Sequence, residues 1–357
     1  MTALRRSVLW VHRWAGLSFG LVIAMMAVTG AGMVFRPQLA TTLDPTLLRV
    51  QPCSAPRPLD ELVTNARAVH STSPVNYIWV HSESDASTWV RFVDNDTVYL
   101  DPCTAAVLGE QYRYGGLFGR LEQLHRFKFM PHGSLVTGSS ALSFVALTVI
   151  GGFIVWWPHT LRALKAALSF RSRLTGRAYR MHLHRALGVY ASLILMISAL
   201  TGLPDAFTWC HDALYRLTAS PLPAPDPKSG APDGTAALSM QACWQRAQAV
   251  IPRPLEALIS YPRKPGNAVQ IDLLERSAPH SEARTLLYLD AHSGEILSFR
   301  PYGSSSRGDK LLAWLLAVHK GETGGLVVQL LLLAGALSVP VLAYTGISSY
   351  LRRLRSA

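Results

Sequence analysis

The chain has 357 residues, 49% of them apolar, and its mean hydropathy of +0.20 is higher than is usual for a soluble protein. Lys and Arg number 34 against 22 Asp and Glu, which gives a formal net charge of +12. The positive excess flanks apolar segments and no nucleic-acid-binding motif accompanies it, so the composition indicates a membrane lipid environment and excludes a nucleic-acid partner. The sequence also lacks a Gly-rich dinucleotide motif, a P-loop and an iron–sulfur cysteine cluster.

Four apolar segments predict membrane-spanning helices, each close to the roughly 20 residues that a bilayer requires. They cover residues 10–35, 139–157, 187–207 and 326–350. We interpret the first as a retained anchor rather than a cleaved signal peptide, because its apolar core is too long and no convincing cleavage site follows. Arginines crowd the start of the chain, its end and residues 162–185, none of which contains an acidic side chain. The positive-inside rule therefore places both termini in the cytoplasm and two large loops outside.

The two outer segments share a pattern. Each begins with a helical stretch and continues with alternating runs rich in β-branched and aromatic residues. Helices are predicted at residues 59–69 and 240–249, and strands at 77–81, 88–93, 97–100, 257–261, 268–273 and 285–289. A linker rich in Pro, Ser and Gly, residues 221–234, precedes the second helix. Each segment is therefore expected to form a helix and a small antiparallel sheet.

All four cysteines fall in the outer segments, where an oxidising compartment permits disulfides. Cys53 and Cys103 lie in the first segment, and Cys210 and Cys243 lie in the second. The simplest pairing is one disulfide in each segment, Cys53–Cys103 and Cys210–Cys243. Four free thiols are the alternative.

Four histidines lie at the ends of the apolar segments: His12, His125, His184 and His319. His12 and His184 open similar sequences, and in both a Thr-Gly pair follows seventeen residues after the histidine. Ile150-Gly151 follows 25 residues after His125, and Thr345-Gly346 follows 26 after His319. Ionisable groups at membrane helices are costly, so their repetition indicates a function. Imidazoles in a membrane helical bundle are typical ligands of haem iron.

The pattern predicts a membrane α-helical protein whose four-helix transmembrane bundle is built from two parallel repeats, with two small α+β periplasmic domains. The predicted order is a cytoplasmic N-terminus with the first spanning helix (1–36), the first outer domain (37–124), the second spanning helix (125–158), a basic cytoplasmic loop (159–183), the third spanning helix (184–207), a linker with the second outer domain (208–318) and the fourth spanning helix with a cytoplasmic C-terminus (319–357). In this arrangement His12 pairs with His184 near the cytoplasm, and His125 pairs with His319 near the outer face. Each pair could hold one planar macrocycle.

Other residues compete with these assignments. His182 lies two residues before His184 and points to another helix face, whereas His132 returns to the face of His125 but follows Pro131. His159 is interpreted as a surface residue and His211 as a weaker outer ligand. Zinc or copper could use the same histidines, although such sites usually add Cys or carboxylate ligands. The glycines in these segments could serve only to let the helices approach closely.

The motifs resemble those of the PepSY-associated transmembrane family of bacterial inner-membrane proteins. The matching segments are His12-Arg13-Trp14-Ala15-Gly16 with Thr29-Gly30, residues 152–158, His184-Arg185 with Thr201-Gly202, and His319-Lys320-Gly321 with Thr345-Gly346. The outer segments resemble PepSY modules through Asp101-Pro102 and through Asp290 with Gly294-Glu295. Two departures are Pro204 and Cys103.

Characterised relatives in this family include di-haem ferrisiderophore reductases. The resemblance therefore implies a multi-pass protein of the bacterial inner membrane with two b-type haems, held by His12, His184, His125 and His319. It implies single-electron transfer from a quinol or a cytoplasmic reductase to a periplasmic ferric siderophore, with release of Fe(II). The alternative is a haem-free PepSY membrane protein that binds or regulates a periplasmic peptidase or protein maturation.

Overall fold

The computed structural model describes residues 3–151, 160–169, 173–230, 236–264 and 266–355. The helices in chain order are α1 (Ala3–Met33), α2 (Arg36–Leu43), α3 (Pro45–Leu48), α4 (Leu59–Val69), α5 (Leu117–His125), α6 (Gly133–Thr148), α7 (Leu161–Leu168), α8 (Gly176–Ala206), α9 (Thr208–Leu217), α10 (Met240–Val250), α11 (Arg307–Lys320) and α12 (Gly325–Arg355). The strands are β1 (Val75–His81), β2 (Thr88–Phe92), β3 (Asp96–Leu100), β4 (Val107–Tyr112), β5 (Glu256–Ser260), β6 (Val269–Leu274), β7 (Arg284–Leu289) and β8 (Ile296–Arg300).

The chain divides into two units. The helical unit comprises Met1–Phe35, Arg120–Ala213 and Leu315–Ala357, and the sheet unit comprises Arg36–Gly119 and Leu214–Trp314.

Among its described residues, the helical unit contains four helices that are long and apolar enough to span a membrane, so the chain is a multi-pass membrane protein. These stretches are Arg6–Met33, Gly133–Gly151, Gly176–Ala206 and Gly325–Arg352. Helix α1 packs against α6 and α12, and α8 packs against the same two helices. Ile23, Leu195 and Val339 meet in the core of this bundle. The prediction of four spanning helices is confirmed.

The boundaries of the spanning helices differ from those predicted. The second helix begins at Gly133 rather than at residue 125. His132, directly after Pro131, adopts a left-handed φ of 57°, and this conformation separates α5 from α6. Gly321 and Gly324, both at positive φ, likewise separate α11 from α12. His125 and His319 therefore end the short helices α5 and α11 and do not lie on spanning helices.

The predicted cytoplasmic loop is also partly helical. Residues 161–168 form α7, and α8 already begins at Gly176. The motif at residues 152–158, together with His159, lies outside the described residues.

In the part of the sheet unit that the structure describes, eight strands form one antiparallel sheet in the order β4-β3-β2-β1-β5-β6-β7-β8. Helices α4 and α10 cover one face, and their apolar side chains share a single core with the strands. Strands β1 and β5 join the two outer segments, with Tyr77 opposite Ser260 and His81 opposite Glu256. The prediction of two separate domains is therefore wrong at this point, since both segments contribute to one sheet. The six predicted strands are present, whereas the edge strands β4 and β8 were not predicted because they bury little apolar surface.

One of the two predicted disulfides is present. Cys53 and Cys103 are bonded, which confirms the first pair. The second pair is wrong: Cys210 and Cys243 are free thiols. Cys243 faces the core of the sheet unit, where burial raises the pKa of its thiol to about 12, whereas Cys210 belongs to the helical unit. A core position on α10 explains why Cys243 is not a disulfide partner.

Peptide mass mapping under non-reducing conditions should find the Cys53–Cys103 disulfide together with two free thiols, with Cys243 unreactive until the protein unfolds. Replacing both Cys53 and Cys103 with Ser should lower the free energy of unfolding by roughly 2–4 kcal/mol, because the bond closes a long loop. A fully alkylated Cys243 in the folded protein would contradict the buried position.

His70, directly after α4, contacts two acidic side chains of the sheet region. Nε2 of His70 lies 2.8 Å from Asp94, and Nδ1 lies 2.5 Å from Glu110. Burial lowers the pKa of His70, but the hydrogen bonds to Asp94 and Glu110 outweigh burial and leave the pKa raised. Both ring nitrogens are therefore donors in the protonated form.

This arrangement predicts a pH-dependent stability. A pKa that is higher in the folded protein means that the contribution of His70 is fully present below about pH 6.5, and that it is lost as pH rises through the raised pKa. The melting temperature should therefore fall less between about pH 5.5 and 8 in the His70→Asn variant than in the parent protein. An identical pH dependence in both proteins would refute this role.

Candidate metal centre

The structure brings together the two histidines at the ends of α5 and α11. The ring centres of His125 and His319 are 6.2 Å apart. Nδ1 of His125 lies 2.8 Å from the carbonyl oxygen of Met26 and 3.2 Å from Oγ1 of Thr29, both on α1. The neighbouring helix thus fixes the orientation of the ring. We call His125 and His319 the second histidine pair.

His319 is held in the same way by α8. Its Nδ1 lies 2.9 Å from the carbonyl oxygen of Ser198 and 3.3 Å from Oγ1 of Thr201. Both members of the second pair are therefore oriented by a carbonyl oxygen and by a threonine hydroxyl three residues later.

The first histidine pair consists of His12 on α1 and His184 on α8. Their ring centres are 6.3 Å apart. Nδ1 of His184 lies 3.1 Å from the carbonyl oxygen of Leu342 and 2.9 Å from Oγ1 of Thr345, both on α12. His12 interacts with the backbone of Leu147 on α6.

These contacts explain the Thr-Gly pairs in the sequence. Each pair holds a histidine from another helix: Thr29-Gly30 contacts His125, Thr201-Gly202 contacts His319, and Thr345-Gly346 contacts His184. In the fourth case Leu147 precedes Ile150-Gly151, so the position equivalent to threonine is Ile150 and offers His12 no hydroxyl. The spacing of seventeen residues therefore separates a histidine from the threonine that contacts a different histidine.

The glycines leave room for the imidazole rings. A Cβ atom added at Gly202 would lie 2.9 Å from Cε1 of His319, and one at Gly30 would lie 3.2 Å from Cε1 of His125. At Gly346 the corresponding distance to Cε1 of His184 is 3.5 Å. At Gly30 and Gly202 a larger residue would displace the ring, so these glycines do more than allow helices to approach each other.

The hydrogen bonds also indicate which nitrogen of each ring carries a proton. A carbonyl oxygen can only accept, so Nδ1 of His125, His184 and His319 carries the proton. In the neutral form of each ring, Nε2 then keeps its lone pair. A metal-binding histidine usually donates its other N–H to a carbonyl in this manner.

Burial favours the same neutral form in the second pair, which lies outside the four spanning stretches. Burial, followed by the nearby His319, lowers the pKa of His125 to about 4. Burial likewise lowers the pKa of His319. Neutral imidazole is the form that binds a metal ion.

The distance between the rings indicates the coordination geometry. A ring nitrogen binds a transition metal at about 2.0–2.1 Å, so two imidazoles on opposite sides of one metal have ring centres about 6.3 Å apart. At a tetrahedral angle the same bonds would give about 5 Å. The observed 6.2 and 6.3 Å fit two opposed ligands. Proteins commonly hold haem iron through histidine, so the donors present fit haem.

The two pairs lie at different levels of the bundle. His12 and Thr29, which contacts His125, are seventeen residues apart on α1. At 1.5 Å per residue this separates the levels by about 25 Å along the helix. The equal spacing from His184 to Thr201 on α8 gives the same separation.

Other histidines make different contacts. His182 bonds to the carbonyl oxygen of Ser169, His211 lies 3.1 Å from Asp212, and His132 begins α6. In the described part of the chain, one group of potential metal ligands outside the two pairs is His70, Asp94 and Asp96. His70 uses both ring nitrogens for Asp94 and Glu110, so no nitrogen remains for a metal.

Residues 9–353 match the family model described as the PepSY-associated TM region. The chain belongs to this family. The match covers nearly the whole chain and therefore includes both histidine pairs of this PepSY-associated protein. No curated protein matches it. Family membership confirms the resemblance drawn from the motifs.

Proposed function

We propose that this protein is a di-haem reductase of the bacterial inner membrane that passes single electrons across the membrane to a periplasmic ferric siderophore. The observation that carries the proposal is the close approach of the two histidine pairs, with ring centres 6.3 and 6.2 Å apart and with Nδ1 of His125, His184 and His319 bonded to a backbone carbonyl. Two imidazoles at this distance, each with Nε2 left over, form a ligand set for one iron.

In this proposal His12 and His184 hold one b-type haem, and His125 and His319 hold the other. Bound haem supplies one-electron redox chemistry. The protein residues orient the four imidazoles through Leu147, Met26, Ser198 and Leu342, and the apolar bundle keeps water away from the ligands. The two halves of the chain act as parallel repeats with both termini in the cytoplasm.

The order of the elements along the chain supports the second pair as the site from which electrons leave the protein. Helices α5 and α11 both begin among residues of the sheet unit and end among residues of the helical unit, and the second pair lies at these ends. The first pair lies about 25 Å away along the helices, on the side that the arginines assign to the cytoplasm. The electron donor is then a quinol or a cytoplasmic reductase.

The acceptor follows from the chemistry of iron. Siderophores hold Fe(III) through hard oxygen ligands, and reduction to Fe(II) weakens that binding. A membrane protein that delivers single electrons to the outer face can therefore release iron from the chelate. The sheet unit is proposed to bind the ferric siderophore.

The test is the absorption spectrum of the purified full-length protein. A b-type cytochrome shows a Soret band and, after reduction, an α-band, and a pyridine haemochrome assay should give two haems per chain. The reduced protein should then be oxidised by a ferric siderophore while Fe(II) is trapped by a chelator. A preparation that stays colourless after incubation with haem would reject the proposal and favour a haem-free protein that binds a periplasmic peptidase.

A further inference from the structure

Two buried nitrogens of an arginine lie near the first histidine pair. Arg180 on α8 is half-buried, and its Nε and Nη2 are fully buried without a hydrogen-bond partner in the part of the chain that the structure describes. A buried N–H group of a charged side chain normally has a partner, because the loss of hydration is otherwise uncompensated. These two N–H groups are therefore available to an acceptor that the described residues do not supply.

The position of Arg180 connects it to His184. The two residues are four apart on α8, so they share one helix face, with Arg180 about 6 Å nearer the start of the helix. The ring centre of His184 lies 6.3 Å from that of His12. Arg180 thus lies beside the first pair, whereas its neighbours Arg177 and Arg185 are exposed.

The sequence segments around Arg180 contain no acidic side chain. No Asp or Glu lies between Glu122 and Asp205, before Asp44 or after Glu322. The second pair differs, because Arg126 beside His125 lies 2.9 Å from Asp205. The cation near the second pair is therefore compensated within the protein, and the cation near the first pair is not.

We propose that Arg180 binds a carboxylate of the haem held by His12 and His184, an inference that rests on the proposed function. Haem carries two propionate carboxylates at one edge of its ring, and a guanidinium binds a carboxylate through two parallel hydrogen bonds. A ring between His12 and His184 could extend this edge along α8 toward Arg180. Arg180 is then a binding residue of the first haem. An anionic lipid headgroup is the other source of an anion at this position.

The experiment compares haem with its dimethyl ester, which lacks the carboxylate charges. The full chain with His125→Ala, which retains only the first site, is stripped of haem in detergent and titrated with each compound while the Soret band is recorded. We expect haem to bind roughly ten- to a hundredfold more tightly than the ester, the range that corresponds to one charge-assisted hydrogen bond. Equal binding of both compounds would overturn the proposal, whether or not a lipid occupies Arg180.

Variants separate the role of charge from folding. The Arg180→Gln protein should bind both compounds equally and about as tightly as the parent binds the ester, whereas Arg180→Lys should keep a preference for haem. Arg177→Gln removes an exposed charge from the same helix and should leave the preference of the parent unchanged. A preference that persists in Arg180→Gln would refute the assignment. Failure of the parent to bind either compound would instead reject the haem site itself, which distinguishes the two proposals.

Discussion

Replacing His125 or His319 with Ala should remove one of the two haems and abolish reduction of a ferric siderophore by the natural donor. In the proposed function each histidine would supply one of the two ligands of a haem, and its ring is oriented by a carbonyl and a threonine of another helix. Without one ring, a single imidazole of the pair would remain to hold the haem. The pyridine haemochrome assay should fall to about half of the parent value, and Fe(II) release should reach the background level.

His132→Ala is the matched control for this experiment. His132 is seven residues from His125 and begins α6, and it makes no ring contact with either pair among the described residues. Both haems and the siderophore reductase activity should remain in this variant. Full haem occupancy in the His319→Ala protein would remove His319 from the ligand set.

Replacing His12 or His184 with Ala should remove the haem proposed for the first pair and leave the haem proposed for the second pair. The second haem should remain and should still be reduced by dithionite, since its ligands are held by Met26, Thr29, Ser198 and Thr201, about 25 Å from the first pair. Siderophore reduction with the natural donor should be lost, because electrons from the cytoplasmic side would have to pass the first level. Visible spectra and Fe(II) release, measured on the same membranes, provide both readings.

His182→Ala serves as the control, because His182 is two residues from His184 and bonds to Ser169 instead. If the His12→Ala protein reduces ferric siderophore at the normal rate with its natural donor, electrons enter from the outer side. The transmembrane route would then be incorrect even with both haems present.

The pairing of the histidines was accessible from the sequence because similar motifs recur at fixed spacings along helices. The sequence also located the four spanning helices and six strands through their hydrophobic patterns. It could not reveal that Thr29 contacts His125 rather than the histidine of its own helix, since that contact depends on which helices are neighbours. Nor could it place His125 and His319 on separate short helices, because the breaks depend on local backbone conformation at positions such as His132 and Gly321.

Two further features depend on burial. The position of Cys243 in an outer segment predicts a disulfide, but Cys243 lies on the face of the amphipathic helix α10 that packs into the core. Arg180 is one of several arginines that set topology in the sequence, and only its position in the fold distinguishes it from the exposed Arg177. Composition reports the charge of a segment and not the surroundings of a single side chain.

The pairing of β1 with β5 has a consequence for how the protein is made. Strand β1 is synthesised well before β5, and the spanning helices α6 and α8 lie between them in the chain. Until β5 arrives, one edge of β1 keeps its backbone N–H and C=O groups unpaired, and such an edge can pair with another chain. Completion of the sheet must therefore wait until α6 and α8 have been made and have returned the chain to the side of the membrane on which β1 lies. A nascent chain arrested between these stages would be the species most dependent on chaperones and most exposed to proteases.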